Sequence, residues 1–290
     1  MQAFDYQAAS SIEEMLALLS DGKRKMKILS GGTDLLIQLR EGRQQADLIV
    51  DIKKIPELVE VVYDPLQGLR IGAAASCFQV CHNAAVTTHY PGLVDAISLI
   101  GGVQIQNRAS IGGNLCNASP AADTIPALIV HNAVCLICGP LSRRSVPVER
   151  FCTAPGKTIL QPDEFLEAIY IPQPKGHFGA HYLRFIPRND MDIAVVGVGA
   201  AVIIDENQSH FQAVRLALAA VAPTPLYVSE VGDFIRGKEI SSQVIKEAAL
   251  IAQAAARPIS DLRGTAEQRL QLTVVLTRRA LEKAVERAKL

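Results

Sequence analysis

Residues 107–128 read "NRASIGGNLCNASPAADTIPAL", with two adjacent glycines, Gly112 and Gly113, followed by Asn and Ser pauses, Pro120 and Asp123. The stretch looks like neither a core strand nor a solvent-facing helix. Residues 27–39, "KILSGGTDLLIQL", carry a second pair, Gly31 and Gly32. A Gly pair after a strand and before a helix lets the backbone approach a ligand closely. It also leaves amide N–H groups pointing outward at the positive end of the helix. That is how a phosphate or pyrophosphate cradle is built. The competing reading is a tight turn and nothing more. A single pair leaves the two readings balanced; two pairs, each followed by a plausible helix, favour a ligand with two phosphates.

Other phosphate motifs do not fit. "APGKT" at 154–158 resembles the end of a Walker A loop, but position 151 is Phe where the first Gly is required. "GVGAAV" at 197–202 has no third Gly and lies in a long apolar run, which reads as buried strand. There is no HExxH, no GxSxG and no Cys/His pair at useful spacing, and the six histidines are scattered. Asp34 and Asp123 each follow a Gly loop by a few residues. Beside phosphate they would be repelled, but they can accept hydrogen bonds from ribose hydroxyls. The plainer role for both is charge or capping in a helix first turn.

The 290 residues suffice for one large domain or two ordinary ones. With 49% hydrophobic and 20% charged residues, the chain has the make-up of a soluble protein with a real core. A formal net charge of zero argues against a dominant nucleic-acid or membrane-surface role. No run approaches the 18 or so apolar residues of a membrane span. The start, "MQAFDYQAASSIEEML", lacks a basic n-region, so the expected location is the cytoplasm, where thiols stay reduced. Cys135 and Cys138 form a CxxC within "NAVCLICG". In a strand, residues three apart point to opposite faces, so this reads as buried strand and not as a metal site. Cys77 and Cys81 read as small core residues on one face of a helix beginning after Ser76.

Along the chain, residues 11–20 read as an amphipathic helix capped by Ser10 or Ser11. "KMKIL" (25–29), the Gly turn, "TDLLIQLR" (33–40) and "ADLIVDI" (46–52) form a strand–turn–helix–strand unit. Further strands are expected at 69–76, 133–138 and 166–171, and helices at about 77–86, 92–101 and 121–131. "IPQPKGHFGAH" (171–181), with two Pro and two Gly, marks a domain boundary. Beyond it, strands at 181–187, 192–204 and 213–221 follow one another through "PRND" and "DENQSH" turns, as in an antiparallel meander. Two helices close the chain, the last starting near Thr265, where Thr265 and Gln268 have capping-box spacing. The expected class is α+β: a larger part, 1–175, in subdomains of about 1–55 and 56–175, then a C-terminal α+β domain, 176–290.

"ILSGGTDLLIQLR", "ASIGGNLCNASPAAD", "APGKTILQPDEFL" and "RNDMDIAVVGVGAAV", taken in order, resemble the FAD-binding medium subunit of the molybdenum hydroxylases. These are the xanthine, carbon monoxide, nicotine and nicotinate dehydrogenases. Order and spacing match from about residue 4 to the last helix, with the closest resemblance to bacterial xanthine dehydrogenase FAD subunits. The resemblance implies a two-subdomain FAD-binding fold of the PCMH/vanillyl-alcohol-oxidase type, followed by a C-terminal antiparallel sheet with helices. It places a first flavin loop on Ile28, Leu29, Ser30, Gly31, Gly32, Thr33, Asp34 and Leu35. A second loop falls on Ser110, Ile111, Gly112, Gly113 and Asn114, the two holding the pyrophosphate from both sides. Ile100 and Gly101 correspond to a further flavin contact. Asp123 is implied at the nucleotide end, and Ile159 and Leu160 near the ring. Arg184 falls where the family often has Lys, and Ser30 where Ala is usual. An iron–sulfur insertion that one branch carries near Cys116–Cys152 is absent here.

The resemblance further implies noncovalent FAD, since neither Gly loop contains a His or Cys and Cys116 sits at the pyrophosphate end. It implies a molybdenum-cofactor large subunit that hydroxylates the substrate, and a small subunit with [2Fe–2S] clusters, in a dimer of heterotrimers. FAD would pass electrons to NAD+ or another acceptor, with no nucleic acid, membrane or protein-bound metal ion involved. A cation near the ring, Arg184 or Lys157, would favour reduced flavin. Two other readings stand beside this one. A self-contained flavin oxidase of the same superfamily would need a substrate domain, for which about 115 residues remain after position 175. A non-catalytic nucleotide-binding scaffold would carry no flavin at all.

Overall fold

The computed structural model describes residues 3–188 and 191–290. Its first layer is a three-stranded parallel sheet in the order Asp5–Ala8, Leu48–Asp51, Met26–Leu29. Helices Ile12–Ser20 and Leu35–Arg40 make the crossovers between these strands. The first helix starts where Ser11 accepts the Glu14 amide, while the Glu14 carboxylate takes the N–H of Ser10, one residue before the N-cap, at 2.8 Å. The helix Leu35–Arg40 leaves the Gly31–Gly32 turn, as the strand–turn–helix–strand reading requires.

The second layer is a five-stranded antiparallel sheet in the order Val61–Asp64, Gly68–Gly72, Phe165–Pro172, Val134–Cys138, Arg143–Pro147. Cys135 and Cys138 lie on strand Val134–Cys138 and enter different apolar clusters. The strand expected at 69–76 stops at Gly72. The single helix expected at 77–86 is two, Cys77–Cys81 and Ala84–His89, because Asn83 accepts the Ala85 and Val86 amides and restarts the chain as a new N-cap. The helix expected from 121 begins at Thr124, with Pro126 in its first turn, where no N–H is needed.

The third layer is the meander His177–Phe185, Val196–Ile204, Phe211–Ala219 and Leu226–Tyr227, antiparallel throughout. Of the "PRND" turn, residues 189–190 lie outside the described residues. Helix Ser242–Ala255 and helix Ala266–Ala288, capped by Thr265 on the Gln268 amide, cover one face. The opposite face packs on the second layer: Ala180, Tyr182, Ala201 and Ala217 belong to the same buried cluster as Leu69, Tyr90, Ile125 and Leu128.

Polar ties reinforce this junction. The Asp95 carboxylate, on helix Pro91–Ser98, accepts from His181, from the Tyr182 N–H and from both Arg287 Nη atoms. These contacts hold the Asp95 carboxyl below the usual range, although burial alone would raise it. Arg215 donates to the Ile129 carbonyl at 3.0 Å and to Glu149 at 3.2 Å.

His131, at the C-cap of helix Thr124–Val130, is buried between Tyr90 and Phe178, 5.9 and 5.6 Å from their ring centres. Its Nδ1 donates to the Ala127 carbonyl at 2.7 Å, and Nε2 has no partner among the described residues. Burial lowers its pKa from 6.5 to about 4, against the pull of that carbonyl. The unfolded chain therefore takes up a proton below pH 6.5 that the folded one refuses until about pH 4, so acid works against folding in that window. Urea unfolding is expected to show a loss of about 2 kcal/mol from this group between pH 7 and pH 5, and a smaller pH dependence in His131→Phe. Equal slopes in both proteins would mean that His131 is not buried neutral.

Candidate functional site

A cavity of about 260 Å³ opens between the first and second layers. Strand Met26–Leu29 and the loop leading to helix Leu35–Arg40 supply Ile28, Ser30, Gly31, Gly32, Thr33, Asp34 and Leu35. The other wall is Ser110, Gly112, Gly113 and Asn114, with Ile100 and Leu160 farther along. The structure thus brings together most of the residues that the sequence singled out. Leu29 and Ile111 belong to the same segments but point into the core. Gly101 follows Ile100 with φ +53° and is outside the cavity lining. Ile159 also lies outside it, its amide donating to the Phe151 carbonyl and its own carbonyl accepting from Arg144.

The four glycines do different jobs. At Gly31 an added Cβ would lie 2.5 Å from the Arg108 carbonyl oxygen and 2.7 Å from Ala109 Cα. The two loops touch backbone to backbone there. Gly32 has φ +78°, which L side chains rarely adopt. Gly112 packs on the Ala73 backbone. Gly113 has no positive φ. Its Cβ would instead enter the gap in front of Ser110 Oγ (2.9 Å) and the Ser30 side chain (3.8 Å). The second pair is also not a turn before a helix: it forms the first turn of helix Ile111–Asn117, whose N-cap Ser110 accepts the Gly113 N–H.

Hydrogen bonds cross the cavity walls. Ser30 Oγ and Ser110 Oγ are 2.7 Å apart, and Gln38 donates to Asn117 at 3.2 Å. Thr124 donates to Asn114 at 2.6 Å, tying the second wall to the next helix. Asp34 takes the N-cap position of helix Leu35–Arg40 without accepting a cap hydrogen bond, and burial raises its carboxyl pKa, with Arg43 opposing. Sequence reasoning missed Gln38, Ile52, Ala73, Ala109, Cys116, Asn117, Phe165 and Leu166, which also line the cavity. Gln38 and Asn117 lie one helical turn beyond the Gly loops, the spacing that returns a side chain to the same face. That was the available signal; Phe165 and Leu166 come from a strand remote in sequence and had none.

Asp123 and Arg184 pair with each other. Arg184 Nη1 donates to Asp123 Oδ2 at 2.6 Å and the Tyr182 hydroxyl to Oδ1 at 2.7 Å, all three side chains being almost fully buried. Neither Asp123 nor Arg184 lines the cavity. Burial is the largest influence on Asp123 and raises its carboxyl pKa, while Arg184 and Tyr182 lower it. With a guanidinium that never deprotonates at 2.6 Å, the carboxylate form prevails at neutral pH. Burial and the neighbouring Asp123 push the Tyr182 hydroxyl far above its ordinary value, so it remains a donor.

A cavity between a parallel strand–Gly loop–helix unit and a second Gly-bearing wall, lined with serine and threonine, has the make-up of a dinucleotide site. The residues fit a flavin dinucleotide. The model for the FAD-binding domain in molybdopterin dehydrogenase matches residues 2–174, and that for the CO dehydrogenase flavoprotein C-terminal domain matches 181–284. The putative xanthine dehydrogenase FAD-binding subunit of Escherichia coli strain K12 is 33% identical, over 98% of this chain and 96% of its own length. The carbon monoxide dehydrogenase medium chain of Hydrogenophaga pseudoflava is 30% identical over 97% and 96%. A solved structure of carbon monoxide dehydrogenase from that organism superposes with a TM-score of 0.94, covering 99% of this chain and 98% of the other at 29% identity. The chain belongs to the family of FAD-binding medium subunits of the molybdenum hydroxylases. It is an FAD-binding oxidoreductase subunit.

Because Asp123 and Arg184 are buried against each other, removing one strands the other. Arg184→Met is expected to cost roughly 3–5 kcal/mol of unfolding free energy. Asp123→Asn combined with Arg184→Met is expected to recover most of it. Urea unfolding of both single variants and the double variant checks this; a double-variant loss equal to the sum of the two single losses would mean that the pair is not coupled.

Proposed function

We propose that this chain is the electron-transfer subunit of a cytoplasmic molybdenum hydroxylase, taking electrons from [2Fe–2S] clusters of a small subunit and delivering them to NAD+ or another acceptor. A molybdenum-cofactor large subunit would hydroxylate the substrate, and the heterotrimer would pair into a dimer. The carrying observation is the cavity that Gly31–Gly32 and Gly112–Gly113 line together. FAD bound there supplies chemistry that converts single electrons into a two-electron delivery.

The chain's own part is to bind, orient and exclude water. Ser30, Thr33 and Ser110 present hydroxyls to the cavity, and Gly113 leaves room for a diphosphate in front of them. Asp34 offers an acceptor for a hydroxyl of the ligand. Ile28, Ile52, Ile100, Leu160 and Phe165 give it apolar walls that keep solvent from the bound group. Arg184 contributes less than a free cation would, because Asp123 neutralises it. Lys157, on the short hairpin with Cys152–Ala154, is exposed. A self-contained oxidase would need a substrate-binding domain in addition to these three layers.

The reading is tested by purifying the complex with its partner subunits. Wild-type complex should carry FAD and molybdenum and reduce its acceptor. Gly113→Val places a branched side chain in the ligand gap and should leave a folded chain without flavin, with cluster reduction by substrate intact but transfer to NAD+ lost. Normal flavin content in that variant would defeat the assignment of the gap. The flavin is expected to be noncovalent, since the cavity lining contains no His and its cysteine, Cys116, has a thiol held up at about 12 by burial and the neighbouring Cys152. Acid precipitation should release all of the flavin to the supernatant; flavin in the pellet would show a covalent link.

A further inference from the structure

The two hydroxyls that face each other across the seam have unequal surroundings. Ser110 Oγ accepts the Gly113 N–H at 3.0 Å, in addition to lying 2.7 Å from Ser30 Oγ. For Ser30 Oγ the contact with Ser110 is the one hydrogen bond among the described residues. A hydroxyl has one proton and two lone pairs. If Ser30 donates to Ser110, both lone pairs of Ser110 are filled and its own proton is left to point outward. If the bond runs the other way, Ser110 keeps an empty lone pair and its proton is used up. Both arrangements make the same two hydrogen bonds and differ in which hydroxyl keeps the free proton; in the first it is Ser110, whose oxygen the Gly113 N–H also fixes at the helix N-cap. Both residues line the cavity, and the space before them is the gap that Gly113 leaves open.

We infer that Ser30 is a positioning residue: it donates to Ser110 and so aims and polarises the Ser110 hydroxyl as the donor to a phosphate oxygen of the bound dinucleotide. A hydroxyl that accepts two hydrogen bonds is a stronger donor than one that accepts a single bond, because the charges along such a chain reinforce one another. The same bond closes the seam where Gly31 touches Arg108 and Ala109, so the donor is set before the ligand arrives. The inference rests on the reading of this cavity as the FAD site.

The test uses the full chain stripped of flavin, with ligand binding followed by fluorescence. FAD carries the diphosphate and riboflavin carries none, so the two probes separate phosphate recognition from general damage to the pocket. Ser30→Ala should weaken FAD binding about 3- to 10-fold, the size of one net hydrogen bond, and leave riboflavin binding unchanged. Ser30→Thr, which keeps the hydroxyl, should bind FAD as the wild type does. In a Ser110→Ala background, Ser30→Ala should have no further effect, because the residue through which it acts is gone. Three results would each overturn the inference: unchanged FAD binding in Ser30→Ala, an equal loss for riboflavin, or the same loss with and without Ser110. Failure of the wild-type chain to take up FAD would instead overturn the reading of the site itself, and the inference with it.

Discussion

The structure turns on one contact, the meeting of two main chains at Gly31. The loop after strand Met26–Leu29 and the loop before helix Ile111–Asn117 come so close that a methyl group at position 31 would have to displace the backbone of Arg108 and Ala109. Main chain cannot move aside as a flexible side chain can, because each unit is held by its own sheet and helix hydrogen bonds. The width of the cavity is therefore set by this contact. Ser30–Ser110 and Gln38–Asn117 flank it and hold the walls in register. Gly112 extends the same logic one step further, fixing the second wall on Ala73 at the end of strand Gly68–Gly72.

The C-terminal layer is fastened by a different means. Its inner face buries Ala180, Tyr182, Ala201 and Ala217 in the core of the second layer, and small side chains there let sheet and helices approach closely. Apolar contact gives area but little direction. Direction comes from charged groups that are costly to separate once buried: Asp95 with His181 and Arg287, Glu149 with Arg215, Asp123 with Arg184. Each pair joins an element of the second layer to one of the third. Together they fix how the meander lies on helices Pro91–Ser98 and Thr124–Val130.

Much of this was legible in the sequence because it is local. The Gly pairs, the Ser11 and Thr265 caps and the apolar runs of the meander all act within a few residues, and the order of four motifs carried the family. What escaped notice depends on partners distant in the chain. Strand Asp5–Ala8 is only four residues long and half exposed, so its pairing with Leu48–Asp51 is what identifies it. The hairpin strand Arg143–Pro147 carries two arginines whose partners, Glu164 and Glu167, come from around the strand Phe165–Pro172. Gly112–Gly113 looked like a turn because glycine is a poor helix former. It is tolerated in a helix here because Ala73 leaves no room for a side chain at Gly112, while Gly113 faces the ligand gap.

Asp123 and Arg184 show most plainly what motif reading leaves out. Each was assigned a role against a ligand, one at the nucleotide and one at the ring, and each role treated the residue as a free charge. A carboxylate and a guanidinium 2.6 Å apart and almost fully buried act as one nearly neutral unit, whose field falls off much faster than that of a single charge. Arg184 Nε is buried without a partner among the described residues, so the unit is less than fully satisfied. What it does have is a mechanical link to the site: Asp123 adjoins Thr124, and Thr124 bonds Asn114 in the cavity wall. Through that chain the third layer bears on the second Gly wall by packing and hydrogen bonding.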